Sequence, residues 1–237
     1  MSLSCVLTRA VLGIEAPLVT IEVHISNGLP ALTLVGLPET TVKEARERVR
    51  SAIINSGFNF PAKRITINLA PAVLPKEGGR YDRPIAIALL AASEQLPETN
   101  LAQYEFLGEL ALNGALCGVQ GAIPAAMAAS SAGRQLILSH HNQQDVGLIQ
   151  DSESLVAGYL LEVCNFLRNQ SPLPRAQSTT ANLTDVPPDL SDVIGQEQGK
   201  RALEITAAGG HNLLLIGPPG TGKTMLASRL AGLMPPL

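Results

Sequence analysis

The run Gly217-Pro218-Pro219-Gly220-Thr221-Gly222-Lys223-Thr224 constrains this chain more than any other feature. Its glycines permit tight curvature. The pattern works only where a strand enters it and a helix leaves it, because successive backbone N–H groups then point inward and the helix N-terminus faces bound phosphates. Both flanks are in the sequence: Leu213 to Ile216 reads as a buried strand, and Lys223 to Leu233 as a helix that Pro235-Pro236 end. In that setting Lys223 supplies charge to β and γ phosphates and Thr224 a hydroxyl to magnesium, so ATP and Mg2+ are the expected cofactors. The alternative is a glycine-rich strand-to-helix turn with no ligand. Only 13 residues follow Thr224 and none is acidic, so the acidic pair that hydrolysis needs is missing and the chain is expected to lack ATPase competence of its own.

Upstream, Val19, Ile21, Val23 and Ile25 alternate with Thr20, Glu22 and His24, the period of a strand with one buried face. Asn27-Gly28 reads as a turn and Leu32 to Leu37 as the returning strand of a hairpin. Pro38 then opens a helix to about Asn55, with Val42, Ala45, Val49, Ala52 and Ile53 on one face. Ile65 to Leu69 is a compact strand and Asp82 to Ser93 a helix apolar on all sides. Phe106 to Leu112 and Gln135 to Leu138 read as strands, with a helix from Ile123 to Ala132 between them. The expected fold class is α+β, with a first domain over 1–168, a Pro-rich linker over 169–190 and the opening of a P-loop α/β domain over 191–237.

The segment Asp189-Leu190-Ser191-Asp192-Val193-Ile194-Gly195-Gln196, followed by Lys200-Arg201-Ala202-Leu203-Glu204-Ile205, resembles the opening of an AAA+ module of the magnesium-chelatase branch. That resemblance implies adenine contacts at Val193, Ile194 and Gly195, which otherwise read as a plain helix lead-in. Farther upstream, Pro75-Lys76-Glu77-Gly78-Gly79-Arg80-Tyr81-Asp82 resembles the nucleophile loop of Lon proteases, and Gly108-Glu109-Leu110-Ala111-Leu112-Asn113-Gly114 resembles a second Lon run. The resemblance implies the ribosomal-protein-like second-domain fold of Lon. A Ser-Lys dyad needs a hydroxyl and a nearby amine. The matching positions hold Arg80 and Ile123, so no peptidase activity and no catalytic residue is expected.

A degenerate Lon-like domain, a Pro-rich linker and a chelatase-type AAA+ start together resemble the ComM/YifB family. Gly36-Leu37-Pro38-Glu39, Glu44 to Arg50, Asn55-Ser56-Gly57 and Arg64 to Pro71 extend the match over nearly the whole chain. The resemblance implies part of a cytoplasmic, ATP-driven motor on branched or single-stranded DNA, assembled as a homo-oligomer, a hexamer by analogy. The first domain would serve assembly or DNA engagement. Alternatives are a chelatase-like motor that remodels a protein or metal-insertion partner, and a ring-forming scaffold.

Composition narrows where a DNA surface could lie. With a net charge of −3 and 3% aromatics, neither a global polycation nor an aromatic stacking groove is present. A local patch of Lys43, Arg46, Arg48, Arg50, Lys63 and Arg64, extended by Lys76, Arg80 and Arg83, is the candidate. Arg46, Arg50, Lys63 and Arg64 are its proposed contacts. The competing reading is a solvated helix face, because Glu44 to Arg48 and Glu47 to Arg50 have ion-pair spacing. Cys5, Cys117 and Cys164 show no metal or disulfide spacing and read as buried free thiols. His140-His141 reads as a surface turn, and apolar runs such as Ile85 to Ala92 fall short of the roughly 20 residues that span a bilayer.

Overall fold

The computed structural model describes residues 2–36, 40–76, 78–149, 152–177 and 188–234, and for residues 40–44 the backbone only. Leu37 to Glu39, Glu77, much of the expected linker and Pro235-Pro236 lie outside the described residues. The chain divides into two compact units, Met1–Thr179 and Thr180–Leu237.

The first unit is built on a mixed sheet in the order β3-β4-β2-β1-β5-β8-β9. These strands are β1 (Ser2–Arg9), β2 (Leu18–Ser26), β3 (Ala31–Val35), β4 (Arg64–Ala70), β5 (Tyr104–Phe106), β8 (Gln135–Ser139) and β9 (Leu155–Ala157). A short pair, β6 (Glu109–Leu110) and β7 (Leu116–Cys117), stands apart from it. The helices are α1 (Thr40–Asn55), α2 (Asp82–Ala92), α3 (Ala122–Ser131), α4 (Gln143–Gly147) and α5 (Leu160–Leu167). The unit is α+β, with antiparallel pairs β1·β2 and β2·β4 and parallel pairs at both ends.

Register follows the alternation in the sequence. Ile21, Val23 and Ile25 of β2 stand opposite Leu69, Ile67 and Ile65 of β4, and all six are buried. Their shared face meets α1 through Ala45, Val49, Ala52 and Ile53, and also the whole of α2. Thr20, Glu22, His24, Thr66 and Asn68 take the opposite, half-exposed face. There the Asn68 amide donates to Glu22 Oε2 at 2.9 Å. Beyond β1 both faces are covered. Ile137 points into the first core while Leu136 and Leu138 join a second one under α3, whose Ala122, Ala125, Ala126 and Ala129 let the helix lie close.

Four expectations need correction. The segment after Asn27-Gly28 forms no hairpin with β2: β4 lies between them, and β3 runs parallel to β4 at the sheet edge. An edge strand with no fully buried side chain yields the central slot to β4, whose Ile65, Ile67 and Leu69 gain more from burial. The strand expected from Phe106 to Leu112 breaks at Gly108, whose N–H donates to the Arg80 carbonyl and whose carbonyl accepts from Arg83 N–H. The chain therefore leaves the large sheet to start β6. The segment after Arg168 does not detach there, because Leu173 is buried, Pro174 accepts from Val156 N–H and Ala176 donates to the Ser154 carbonyl. Of the three thiols only Cys164 is buried, while Cys5 is exposed and Cys117 intermediate.

In the second unit, α6 (Glu197–Gly209) is followed by α7 (Lys223–Ser228) and α8 (Leu230–Leu233). Val193, Leu203 and Leu226 form its small core. The strand expected over Leu213 to Ile216 is not formed: Leu214 is 79% and Ile216 86% exposed. A strand is held by ladder bonds to neighbours, and no described residue of this unit supplies one.

The face assignment is testable. Ile67→Ala should destabilise the first unit by about 3 kcal/mol, whereas Thr66→Ala on the open face should change stability by less than about 0.5 kcal/mol, as read from denaturant midpoints.

Candidate functional site

The phosphate loop lies between Ile216 and α7. Gly220 and Gly222 sit at φ +82° and +81°, where a side chain is strained, and Gly222 caps α7. The first helical bond runs from Leu226 N–H to the Gly222 carbonyl at 2.9 Å. The backbone N–H groups of Gly220, Gly222, Lys223 and Thr224 donate to no oxygen among the described residues. Four orphan donors in the loop and at the start of the helix can cradle an anion. Lys223 Nζ folds over the same loop and donates to the Gly217 and Pro218 carbonyls at 2.8 and 2.7 Å. Thr221 Oγ1 donates to the Pro218 carbonyl at 2.9 Å. Donor set, charge and glycine clearance all fit the phosphates of a nucleotide, and the exposed Thr224 hydroxyl fits a magnesium ligand.

The three adenine candidates have separate fates. Val193 is buried against Leu203 and Leu226, so it packs the unit itself. Ile194 is 96% exposed and Gly195, at φ +72°, has open space where a Cβ would stand. The lead-in is tied once to the loop and once to the end of α7. Gln196 Nε2 donates to the Thr221 carbonyl at 3.3 Å, and Asp192 pairs with Arg229 at 3.7 Å. Asp189 accepts from Ser191 N–H, and that bond holds its carboxyl below the usual range.

In the first unit the Lon-like loop is braced. Lys76 is fully buried and donates to the carbonyls of Gly36, at 2.9 Å, and Pro71. Burial lowers its pKa. Arg80, at the position matched to the nucleophile, is 8% exposed and donates to the carbonyls of Arg9 and Gln120. It thereby joins this loop to β1 and to the turn before α3. Burial pulls its pKa down. Ile123, at the matched lysine position, is partly exposed near the start of α3. A cleft of about 440 Å3 remains, lined by Val11, Gly78, Gly79, Arg80, Glu109 and Gln120 among others.

Asp82 opens α2 with no exposed surface. Its carboxylate accepts from Arg48 Nε at 2.7 Å and Nη2 at 3.1 Å, and from Leu110 N–H at 3.3 Å. Burial outweighs these contacts and, with a contribution from Glu109, pushes its pKa up to about 6. The partner of Arg48 is thus 34 residues away. Glu44, the helical partner expected from spacing, has no described side chain. Sequence reasoning also missed Glu105, a buried carboxylate held by Arg9 at 2.6 Å and Arg134 at 2.7 Å. The signal available was an acidic residue inside the apolar strand Tyr104-Glu105-Phe106.

The basic patch is smaller than the sequence suggested. Lys76, Arg80 and Arg83 are buried and leave it, and Lys43 has no described side chain. Arg83 donates to the Leu107 carbonyl, and burial lowers its pKa to about 9. Arg46 and Arg50 of α1 and Lys63 line one shallow groove of about 200 Å3 with Phe60. The Arg50 guanidinium stands 5.1 Å over the Phe60 ring. Arg46 meets Glu47 at 3.5 Å between exposed side chains, a pair of little strength. Arg64 is exposed at the start of β4. His140 and His141 form a short turn with rings 4.1 Å apart.

Comparison with known proteins adds what geometry cannot. The family described as subunit ChlI of Mg-chelatase matches residues 21–142, and the family described as magnesium chelatase, subunit ChlI, matches residues 189–237. YifB of Escherichia coli is 67% identical over 237 residues, which is 100% of this chain and 47% of YifB. The competence protein ComM of Haemophilus influenzae is 58% identical over 240 residues, 99% of this chain and 47% of ComM. An archaeal Lon protease of Methanothermobacter thermautotrophicus is 44% identical over 57 residues, 24% of this chain and 9% of Lon. The chain spans about half the length of YifB and ComM.

The raised Asp82 carboxyl gives a pH signature. A folded pKa above the unfolded value favours folding while protonated, so this contribution is present below about pH 4 and lost as pH rises through about 6. Relative to Asp82→Asn, the unsubstituted protein should lose about 1 to 3 kcal/mol of stability between pH 4 and 7, in denaturant titrations at each pH. A relative gain over that window would mean that pairing with Arg48 outweighs burial.

Proposed function

The chain belongs to the ComM/YifB family of magnesium-chelatase-like proteins, and from that premise we propose that it is the nucleotide-binding and assembly portion of an ATP-driven motor acting on branched or single-stranded DNA. The observation that carries the reading is the phosphate loop, with the unpartnered N–H groups of Gly220, Gly222, Lys223 and Thr224 and the Lys223 ammonium over them. In this reading the loop amides hold the phosphates, Lys223 neutralises β and γ charge, Thr224 holds magnesium, and Ile194 and Gly195 border the base. Bound ATP supplies the phosphoryl group whose transfer drives the motor.

The first unit we read as a noncatalytic domain with a Lon-like fold. Supporting this, the nucleophile position holds Arg80, engaged with two carbonyls, and Ile123 stands where an amine is needed. The groove of Arg46, Arg50 and Lys63 supports DNA engagement, because three cations from two segments line it together. Association of several copies follows by analogy with AAA+ rings. A second reading, a chelatase-like motor working on a protein or metal-insertion partner, draws on the Mg-chelatase descriptions of both matching families. No helix among the described residues is long and apolar enough to cross a membrane.

Two measurements on the gene product at its full encoded length check the proposal. Lys223→Ala should lower ATP turnover by roughly 100-fold or more, since no neighbouring cation replaces its charge. Binding to forked DNA should weaken steeply with salt. The Arg46→Ala, Arg50→Ala, Lys63→Ala triple variant should reduce the log–log slope by about 0.9 for each phosphate that these cations neutralise. DNA binding absent at low salt would favour the chelatase-like reading.

A further inference from the structure

Gln196 follows the three base-side candidates, and the sequence assigns it no role. The structure shows it under constraint. It lies at φ +59°, in the left-handed region that a residue with a Cβ enters at a cost, immediately after Gly195 at φ +72°. Its side chain is exposed, yet it turns back onto the chain. It reaches 25 residues along the chain, where Nε2 donates to the Thr221 carbonyl at 3.3 Å inside the phosphate loop.

We propose that Gln196 is a positioning residue of the phosphate loop, which orients the Gly222 N–H toward the bound phosphates by holding the Thr221 carbonyl on the opposite side. The carbonyl of Thr221 and the N–H of Gly222 belong to one peptide plane. In a trans peptide these groups point in opposite directions, so a single hydrogen bond to one fixes the other. The carbonyl is available for this because α7 makes its first helical bond at Gly222, which leaves Thr221 outside the ladder. The Gly222 N–H is one of the four orphan donors. This inference rests on the nucleotide reading and adds to it a link between the base side and the phosphate side of the site.

Packing holds the strained residue in place. Gln196 precedes the first residue of α6, and that helix lies so near α7 that a Cβ on Gly199 would come within 3.0 Å of a Leu226 methyl. Val193, Leu203 and Leu226 close the contact below. Val193, three residues before Gln196, is thereby packed against the helix that the phosphate loop opens. A mobile amide would lose most of this orienting effect, because its ordering would have to occur on binding.

The test uses Gln196→Glu, which cannot donate to a carbonyl, Gln196→Gly, which keeps the left-handed backbone and loses the amide, and Gln196→Asn, which retains an amide and tolerates this φ. Affinities for ATP with magnesium and for AMP are measured by calorimetry and competition on the gene product at its full encoded length, beside Lys223→Ala and a melting curve for each variant. Glu and Gly should weaken ATP binding about tenfold with AMP binding and melting temperature unchanged, and Asn should recover part of the loss. Equal losses for ATP and AMP, or no loss with Glu and Gly while Lys223→Ala abolishes ATP binding, would overturn the role of Gln196 and leave the nucleotide reading intact. Equal ATP binding by the unsubstituted protein and Lys223→Ala would overturn both.

Discussion

A helix with no exposed side chain can exist only where other elements cover its whole circumference. The eleven residues of α2 are all buried, including Asp82 and Arg83, and this requirement organises the first unit. The apolar face of β1, β2 and β4 covers one side and α1 another. The backbone around Gly108 closes the N-terminal end by exchanging hydrogen bonds with Arg80 and Arg83. Ile85 to Ala92 gives up no polar group when buried, so this surrounding stabilises the fold at about 25 cal/mol per Å2 with little opposing desolvation. The two charged residues at its start are the exception, and each needs an answering group. Asp82 finds Arg48 on α1 and the Leu110 amide. Arg83 finds the Leu107 carbonyl, and its Nε and Nη1 have no partner among the described residues.

Because α2 starts one residue after the 3-10 turn that carries Arg80, this electrostatics also accounts for the braced cleft. A nucleophile at position 80 would need a side chain directed into open space beside a base. A guanidinium there serves another purpose: its donors fan out in a plane and can reach two carbonyls on separate segments. Arg80 meets Arg9 and Gln120, Lys76 meets Gly36 and Pro71, and Arg9 itself is held by Glu105. Buried cations here act as cross-links among five stretches of chain. Charged groups in this pattern hold the segments around the cleft together.

What the sequence made legible follows the range of the forces involved. β2, β4, β8, α1, α2 and α3 were visible because burial on one face or on all faces writes a period into adjacent residues. The order of the strands was not. Nothing local in Ala31 to Val35 states that its neighbour will be β4, 29 residues beyond Val35, since pairing depends on which strand profits most from the central position. β1 and β9 escaped notice because Ser4 and Thr8 interrupt the apolar period of one and the other is three residues long. Arg48 shows the same limit for charge. Helical spacing offered Glu44, yet a carboxylate buried on another helix is the stronger claimant, because leaving Asp82 unpaired costs far more than leaving a surface glutamate in water. The phosphate loop stands out as a motif since its residues are eight consecutive ones.

The second unit carries this contrast furthest. Its loop has the glycine geometry, the orphan amides and the folded-over lysine that phosphate binding asks for, while the strand that should precede it stays exposed at Leu214 and Ile216. Local instructions thus suffice for a strand-free anion cradle, because the N-terminus of a helix and two left-handed glycines need no distant partner. What they cannot supply is stiffness. In this unit that comes from the side opposite the missing ladder, where Val193 is buried with Leu203 and Leu226 and Gln196 bridges to Thr221. The lead-in therefore has a structural part beside the loop, carried by Val193, which is buried while its neighbour Ile194 stands almost wholly free.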